Sequence, residues 1–247
     1  MLVRIIYLAI AIYQKKDREL QAIARIYFLE EILLAQQIRC NKNTYYFYIT
    51  FYPIDFMPIP IPQRPSGYRL GDANAAIVIE MFFDLECPFS KKGWQTIVQV
   101  AEAYSPDEIY LIFYPMTLGN HRQSWDATKA AIAVAGNDTD KFISFVSYLF
   151  DRQAEFANEA SKDRTQTQWH DLLARYAVDA TEWKDKEQFI ELLDSKDIYS
   201  QARIPDRFAT LRGVWSTPTY FINGAEATDL SSQSSLQEWQ DTINSLL

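Results

Sequence analysis

From Ala75 onward the apolar and polar positions fall into a regular order. Ala75 to Phe83 is a nearly unbroken apolar run, as expected of a strand covered on both faces. After Asp84-Leu85-Glu86-Cys87-Pro88 the period changes to the spacing of Trp94, Ile97, Val98 and Ala101, which predicts a helix from about Pro88 to Tyr104. Proline suits a helix start, because its missing N–H would have had no partner there. Ser105-Pro106 ends that helix, and Ile109 to Tyr114 reads as a second buried strand. Strand, helix and strand with this crossover imply a right-handed βαβ unit.

A helical block comes next. Trp125, Thr128, Ile132 and Ala135 lead to Gly136 as a C-terminal cap. Asp138 can cap a helix whose face is Phe142, Phe145, Val146, Leu149 and Phe150. Trp169, Leu172, Leu173 and Tyr176 predict a short helix, and Thr181 can cap another that carries Phe189, Ile190 and Leu193. A last helical piece with Phe208 and Leu211 reaches Arg212-Gly213. Thr219 to Ile222 then reads as a strand, with Asn223-Gly224 suited to a type I′ hairpin turn. Ser235-Leu236-Gln237-Glu238 fits a capping box for a final helix built on Leu236, Trp239, Ile243 and Leu246.

Residues 1–62 follow a different pattern. The apolar run Ile5 to Tyr13 is about half the roughly 20 residues that a membrane-spanning helix requires. No small-x-small cleavage site follows it, and the next apolar segment, Leu20 to Ile38, is interrupted by Arg25 and Glu30-Glu31. Pro58-Ile59-Pro60-Ile61-Pro62 favours an extended polyproline-type linker. Composition marks the same border. These 62 residues hold twelve isoleucines and eleven tyrosines or phenylalanines, whereas all seven glycines lie at Gly67 or later and all six tryptophans at Trp94 or later. Three readings stand side by side: a weak signal or anchor, a helical extension, or translated AT-rich sequence upstream of the true start. None supplies a convincing transmembrane span, and the compartment stays open, the secretory pathway included. The expected organisation is an atypical extension over 1–62 and one α/β domain over 63–247, with a helical insertion at about 120–212.

Charge narrows the partners. The net charge is −8, while residues 1–62 carry seven basic and five acidic side chains, so the acidity belongs to the rest. That balance argues against unspecific nucleic-acid binding, which needs basic patches for the phosphates. Two cysteines, Cys40 and Cys87, exclude a disulfide-dense scaffold and a zinc site of closely spaced thiols. No P-loop, dinucleotide fingerprint or paired metal-ligand motif is present, and no tightly bound cofactor is expected.

Cys87 stands where the first strand hands over to the first helix. Unpaired N–H groups and the helix dipole favour a thiolate at such a start. Asp84 and Glu86 oppose it by like charge, which leaves the sign of the net effect open. A lone cysteine is ordinarily buried and inert; here its position and Pro88 argue for reactivity. The second element is Trp215-Ser216-Thr217-Pro218-Thr219, where a proline must lie at the first residue of a strand or at an edge.

Together the two segments carry a family look. Phe83-Asp84-Leu85-Glu86-Cys87-Pro88-Phe89-Ser90 after a buried strand resembles the redox segment of thioredoxin-like proteins, and Gly213 to Gly224 resembles their cis-proline segment. The 131 positions from Cys87 to Pro218 hold several helices, which is similar to the DsbA-like branch, as is the lead-in Gly71-Asp72-Ala73-Asn74-Ala75. The resemblance spans about Tyr68 to Leu247. It implies a thioredoxin-like α/β fold with an inserted helical subdomain, preceded by the atypical N-terminal extension. It further implies a catalytic motif of Cys87, Pro88 and Ser90, and a substrate groove shaped by Phe89, Thr217 and Pro218, with Thr217 pairing its backbone to an extended peptide.

Ser90 departs from the family pattern, in which a second cysteine stands there. Cys87 can form a mixed disulfide with a protein, a peptide or glutathione, but no thiol in the motif can resolve it. The cycle expected is monothiol exchange or isomerisation, with glutathione as a candidate cosubstrate and the Ser90 hydroxyl available to bond the thiolate. Two alternatives remain: a non-catalytic peptide-binding or chaperone-like module, and a kappa-class-like glutathione transferase. Cys40 has nothing that ties it to Cys87. His121 reads as a loop residue engaged in local hydrogen bonding, and His170 and Asp171 read as solvated on an exposed helix face.

Overall fold

The computed structural model describes residue 62 and residues 65–247, within the unit Pro58–Leu247. The readings for residues 1–61, Cys40 among them, lie outside the described residues. The described chain forms a five-stranded mixed sheet of β1 (Tyr68–Leu70), β2 (Ile77–Phe83), β3 (Ile109–Pro115), β4 (Thr219–Ile222) and β5 (Ala225–Glu226), in the order β1-β3-β2-β4-β5. β2 and β3 run parallel, with Ile79 opposite Leu111, and are joined by α1 (Pro88–Ala103). The other pairings are antiparallel. Between β3 and β4 lie α2 (Ser124–Ala135), α3 (Thr139–Asp151), α4 (Gln153–Phe156), α5 (Gln166–Ala180), α6 (Lys186–Leu193) and α7 (Lys196–Leu211). The chain closes with α8 (Leu236–Asn244).

The central strand β2 is buried on both faces because successive side chains point opposite ways. Ile77, Ile79, Met81 and Phe83 join the larger core with Trp94, Phe113, Phe142 and Phe150. Phe82 faces a second, smaller cluster with Ile112, Tyr114, Ala209 and Phe221. Glu80 shares that second face, and its carboxylate accepts two hydrogen bonds from the Arg212 guanidinium, each 3.1 Å long. Arg212 also lies 4.2 Å from the centre of the Phe221 ring. The end of α7, from which the Pro218 segment departs, is thereby tied to β2. After β4 the chain turns at Asn223 and Gly224, whose φ angles of 49° and 84° are those a type I′ turn requires.

The helices follow their local signals with three corrections. The helix around Trp169 is not short: α5 has 15 residues and begins at a capping box between Thr165 and Gln168, so a polar first turn hides its start from the apolar pattern. Thr181 does not cap α6. Its hydroxyl donates back to the Ala177 carbonyl at 2.5 Å, and Asp185 is the cap, accepting from the Gln188 N–H at 3.0 Å. His170 is buried rather than solvated, since α2 and α6 both pack on α5. The three-residue strand β1 is too short for any period to reveal; it pairs with β3, and Tyr68 stacks on Phe142 with ring centres 3.7 Å apart.

Candidate active site

Cys87 is the N-cap of α1, in extended backbone with φ −74° and ψ 120°, and has no side-chain cap bond. Its carbonyl accepts the first helical hydrogen bond from the Lys91 N–H at 3.1 Å. The side chain points across to the segment before β4, where the thiol donates to the Thr217 carbonyl at 3.3 Å. The Thr217–Pro218 peptide bond is cis. Gly93 lets this approach happen: a Cβ there would lie 2.1 Å from the Tyr220 hydroxyl oxygen and 3.1 Å from Pro218 Cγ. Sequence positions 130 apart thus meet at one sulfur.

The other residues of the two motifs divide between wall and surface. Ser90 is fully buried, and its Oγ accepts from the Asp84 N–H at 3.1 Å. Among the described residues no hydrogen bond joins Ser90 to Cys87, so the expected serine–thiolate bond is not formed. The reason is local: Ser90 lies on the first turn of α1 facing the end of β2. Pro88 is exposed and Phe89 is 57% exposed, while Trp215, two residues before Thr217, is 84% exposed. Cys87 itself is only 4% exposed, and Thr217 is buried with its hydroxyl lacking a hydrogen-bond partner.

Beneath the thiol lies a polar cluster that the motif alone does not reveal. Asp84 is fully buried; one carboxylate oxygen accepts from the Glu86 N–H and the other from the Leu118 N–H, both at 2.7 Å. His121 Nδ1 lies 3.1 Å from Asp84 Oδ1, a charge contact off the line of a well-formed hydrogen bond. Contact with Asp84 raises His121 above its ordinary value of 6.5, against the effect of burial. Glu86 accepts from the Gln123 N–H at 2.8 Å with Oε2, whereas Oε1 is buried without a well-formed hydrogen bond. Burial raises the Glu86 carboxyl above 4.5, and the Gln123 N–H and the His121 charge offset only part of it. From α4, the Gln153 side-chain amide donates to the carbonyls of Leu85 at 2.9 Å and Cys87 at 3.0 Å.

The structure brings together Cys87, Pro218, Asp84 and Glu86, which the sequence singles out, and adds Gln153 and Gln123, which it does not. Nothing local could have marked Gln153, which lies 66 residues beyond Cys87. His121 makes the local loop bonds expected of it, donating to the Leu118 carbonyl at 3.0 Å and accepting from the Ser124 N–H at 3.4 Å, and its ring also belongs to the buried cluster. Among the described residues no group of three or more His, Cys, Asp or Glu is placed to hold a metal ion, and no helix is long and apolar enough to cross a membrane. A cavity of about 930 Å³, lined by Asp138, Asp140, Lys141, Phe145, Asp179 and Trp183 among others, lies in the helical insertion and does not include Cys87.

A strand-to-helix cysteine facing a cis-proline across a mixed sheet, with helices inserted between β3 and β4, defines the DsbA-like form of the thioredoxin fold. The family model described as thioredoxin matches residues 63–243, and the chain belongs to that family. Among solved structures, oxidised BdbD of Bacillus subtilis superposes with a TM-score of 0.58 at 23% identity, over 73% of this chain and 92% of that one. DsbA of Chlamydia trachomatis gives 0.58 at 17% identity, over 77% of this chain and 96% of that one. Among curated proteins, the Na(+)/H(+) antiporter NhaA 1 of a Mycobacterium species is 28% identical over 167 residues, and that of Mycolicibacterium vanbaalenii is 28% identical over 180. These stretches cover 67% and 66% of this chain but only 24% and 26% of the antiporters, so the chain spans about a quarter of those relatives' length.

Proposed function

We propose that the protein carries out thiol–disulfide exchange through the single thiol of Cys87, in a monothiol cycle completed by an external thiol such as glutathione. The observation that supports this best is the placement of Cys87 Sγ at a helix start, 3.3 Å from the carbonyl before the cis-proline, with Ser90 where a second sulfur would stand. The thiol gives up its proton, and the thiolate attacks one sulfur of a substrate disulfide. A new S–S bond forms to Cys87, and the other substrate sulfur leaves as a thiolate that takes a proton. A second thiol, from glutathione or from the substrate itself, then attacks the mixed disulfide and releases Cys87 reduced. The protein ends unchanged; the external thiol is oxidised as the substrate disulfide is reduced, or the substrate's disulfides are rearranged. Substrate backbone would reach the edge of the Thr217–Pro218 segment, with exposed Phe89 and Trp215 offering apolar surface.

The test is direct. Incubated with oxidised glutathione, the protein should gain one glutathione on Cys87 by mass spectrometry, and it should accelerate recovery of a scrambled disulfide substrate when reduced glutathione is supplied. Cys87→Ser should do neither. If the intact protein forms no mixed disulfide under these conditions, the exchange reading is lost. A second reading, a peptide-binding module that keeps the groove without exchange, is favoured by the near-complete burial of Cys87 beside exposed Phe89 and Trp215. It predicts peptide binding that Cys87→Ser leaves intact. The transferase alternative calls for a serine hydroxyl at the sulfur, and here the Cys87 thiol bonds the Thr217 carbonyl while Ser90 Oγ accepts from the Asp84 N–H.

A further inference from the structure

The turn that carries Cys87 is held by the helical insertion and its lead-in at three places in succession. Asp84 is bonded to the Leu118 N–H, Glu86 to the Gln123 N–H, and the carbonyls of Leu85 and Cys87 to the Gln153 amide. The third link differs in kind. The other two fix carboxylates through backbone N–H groups that any sequence would supply. Gln153 reaches the main chain of the nucleophile with a side chain, from a helix elsewhere in the fold.

Its chemistry fits the task closely. A primary amide nitrogen carries two hydrogens, and here two carbonyls converge on one Nε2. The Cys87 carbonyl already accepts from the Lys91 N–H, so the Gln153 bond fills its second lone pair at the point where the helix begins. Gln153 is itself more than nine-tenths buried, so water cannot readily take its place. Loss of the donors would leave the buried Leu85 carbonyl without a partner, at the cost of its desolvation, and the Cys87 carbonyl with the Lys91 N–H alone. The turn would relieve that cost by rotating the Leu85 and Cys87 carbonyls outward. The same rotation swings the Cys87 side chain away from the Thr217 carbonyl and from the free N–H groups of the helix start.

We propose that Gln153 is a positioning residue for Cys87: the insertion sets the reactivity of the thiol through this one amide. This rests on Cys87 being the reacting group, but its test does not require exchange to occur. The experiment uses the full chain and measures the rate of Cys87 alkylation by iodoacetamide against pH, by mass spectrometry, beside glutathionylation by oxidised glutathione. Gln153→Met keeps the length and volume and removes both donors. Alkylation at neutral pH should slow about tenfold, the size expected when a buried acceptor loses its partner, with the pH profile displaced upward. Gln166→Met, which loosens a different polar contact in the same insertion, should leave both rate and profile where they are. If Gln153→Met does not fold, Gln153→Asn takes its place, with donors kept on a side chain one carbon shorter, and an intermediate displacement is expected.

An unchanged profile in a folded Gln153 variant overturns the proposal, as does an equal displacement in Gln166→Met, which would make the effect one of general loosening. The reading of the function fails separately: wild-type protein that is alkylated at Cys87 but takes up no glutathione refutes exchange, while the alkylation profiles still decide the role of Gln153.

Discussion

The chain has two histidines, and each sits beside a buried aspartate, yet the two clusters are built to opposite ends. In the insertion, Asp126 is met by the Lys129 ammonium at 2.7 Å, by the Gln166 amide at 2.5 Å and by His170 Nε2 at 3.4 Å. The Lys129 ammonium is itself shared with the Leu193 carbonyl, and His170 Nδ1 lies 3.5 Å from Asp194. Burial works against the Asp126 charge, but contact with His170 and the bond and charge of Lys129 outweigh it, and the carboxyl is held at about 2. Under Cys87 two carboxylates, Asp84 and Glu86, share one histidine and, among the described residues, no lysine or arginine, and one Glu86 oxygen has no well-formed hydrogen bond. There the balance tips the other way, and Glu86 is raised. One cluster is satisfied and joins α2, α5 and α6; the other is left short of positive charge next to Cys87. Incomplete pairing next to a candidate nucleophile is where a perturbed group is expected to serve function rather than stability.

The largest effect should come from breaking the satisfied cluster. Lys129→Met leaves the Asp126 carboxylate buried without its cation and should cost about 3–5 kcal/mol, read from urea unfolding at neutral pH. The pH dependence carries the same signature. Asp126 titrates lower folded than unfolded, where its value is 3.8, so its contribution is present above about pH 4 and is lost as pH falls toward 2. That acid-side loss should shrink in Lys129→Met. An equally steep loss in the variant would show that Lys129 does not hold the charge.

How far the sequence reveals each region follows the same division. The strand before Cys87, the helix after it and the turn at Asn223-Gly224 were legible because their signals are local: an apolar run, a change of period, a pair of residues tolerant of positive φ. Cys87 and Pro218 were legible as a pair through the resemblance, not through any spacing rule. The polar partners were not. Asp126 and His170 lie on different helices, and Gln153 reaches the Cys87 turn from a four-residue helix with no period of its own. His170 looked exposed because Gln166, Asp171 and Arg175 nearby are polar; only the packing of α2 and α6 shows which of them face inward.

Within the cluster under the thiol, Asp84 should matter more than Glu86. Asp84→Asn keeps the shape but turns one accepting oxygen into a donor, so the N–H of Glu86 or of Leu118 loses its partner. The expected cost is about 2 kcal/mol, with slower glutathionylation of Cys87, checked by unfolding and by mass spectrometry. Glu86→Gln is the sharper contrast. A carboxyl whose folded value is raised above 4.5 loses stability as pH climbs from that value through the folded one, because the folded state holds its proton longer. Glutamine can still accept from the Gln123 N–H. Stability at neutral pH should therefore change by less than about 1 kcal/mol, or rise, and the decline above pH 4.5 should flatten. His121, raised above 6.5, contributes stability that is present below that value and fades above it, so that second decline should persist. Unfolding curves that run parallel to wild type from pH 4 to 8 would refute the assignment to Glu86.

The smallest effect tests whether burial, rather than charge pairing as such, separates the clusters. Asp171 follows His170 in α5, but the helical rotation carries it to a face where its side chain is 44% exposed. It pairs with the Lys186 ammonium at 3.0 Å and with Arg175 Nε at 3.3 Å, contacts as short as several in the buried cluster. If short contacts alone conferred stability, Asp171→Asn would rank with Lys129→Met. Water competes for each of these groups and salt screens them, so the loss should stay below about 1 kcal/mol. It should shrink further between low and high salt, whereas the Lys129→Met loss should hardly change, since that pair is shielded from solvent ions. Urea unfolding of both variants at two salt concentrations would decide it: equal salt sensitivity would mean that the inner cluster is wetter than its packing implies.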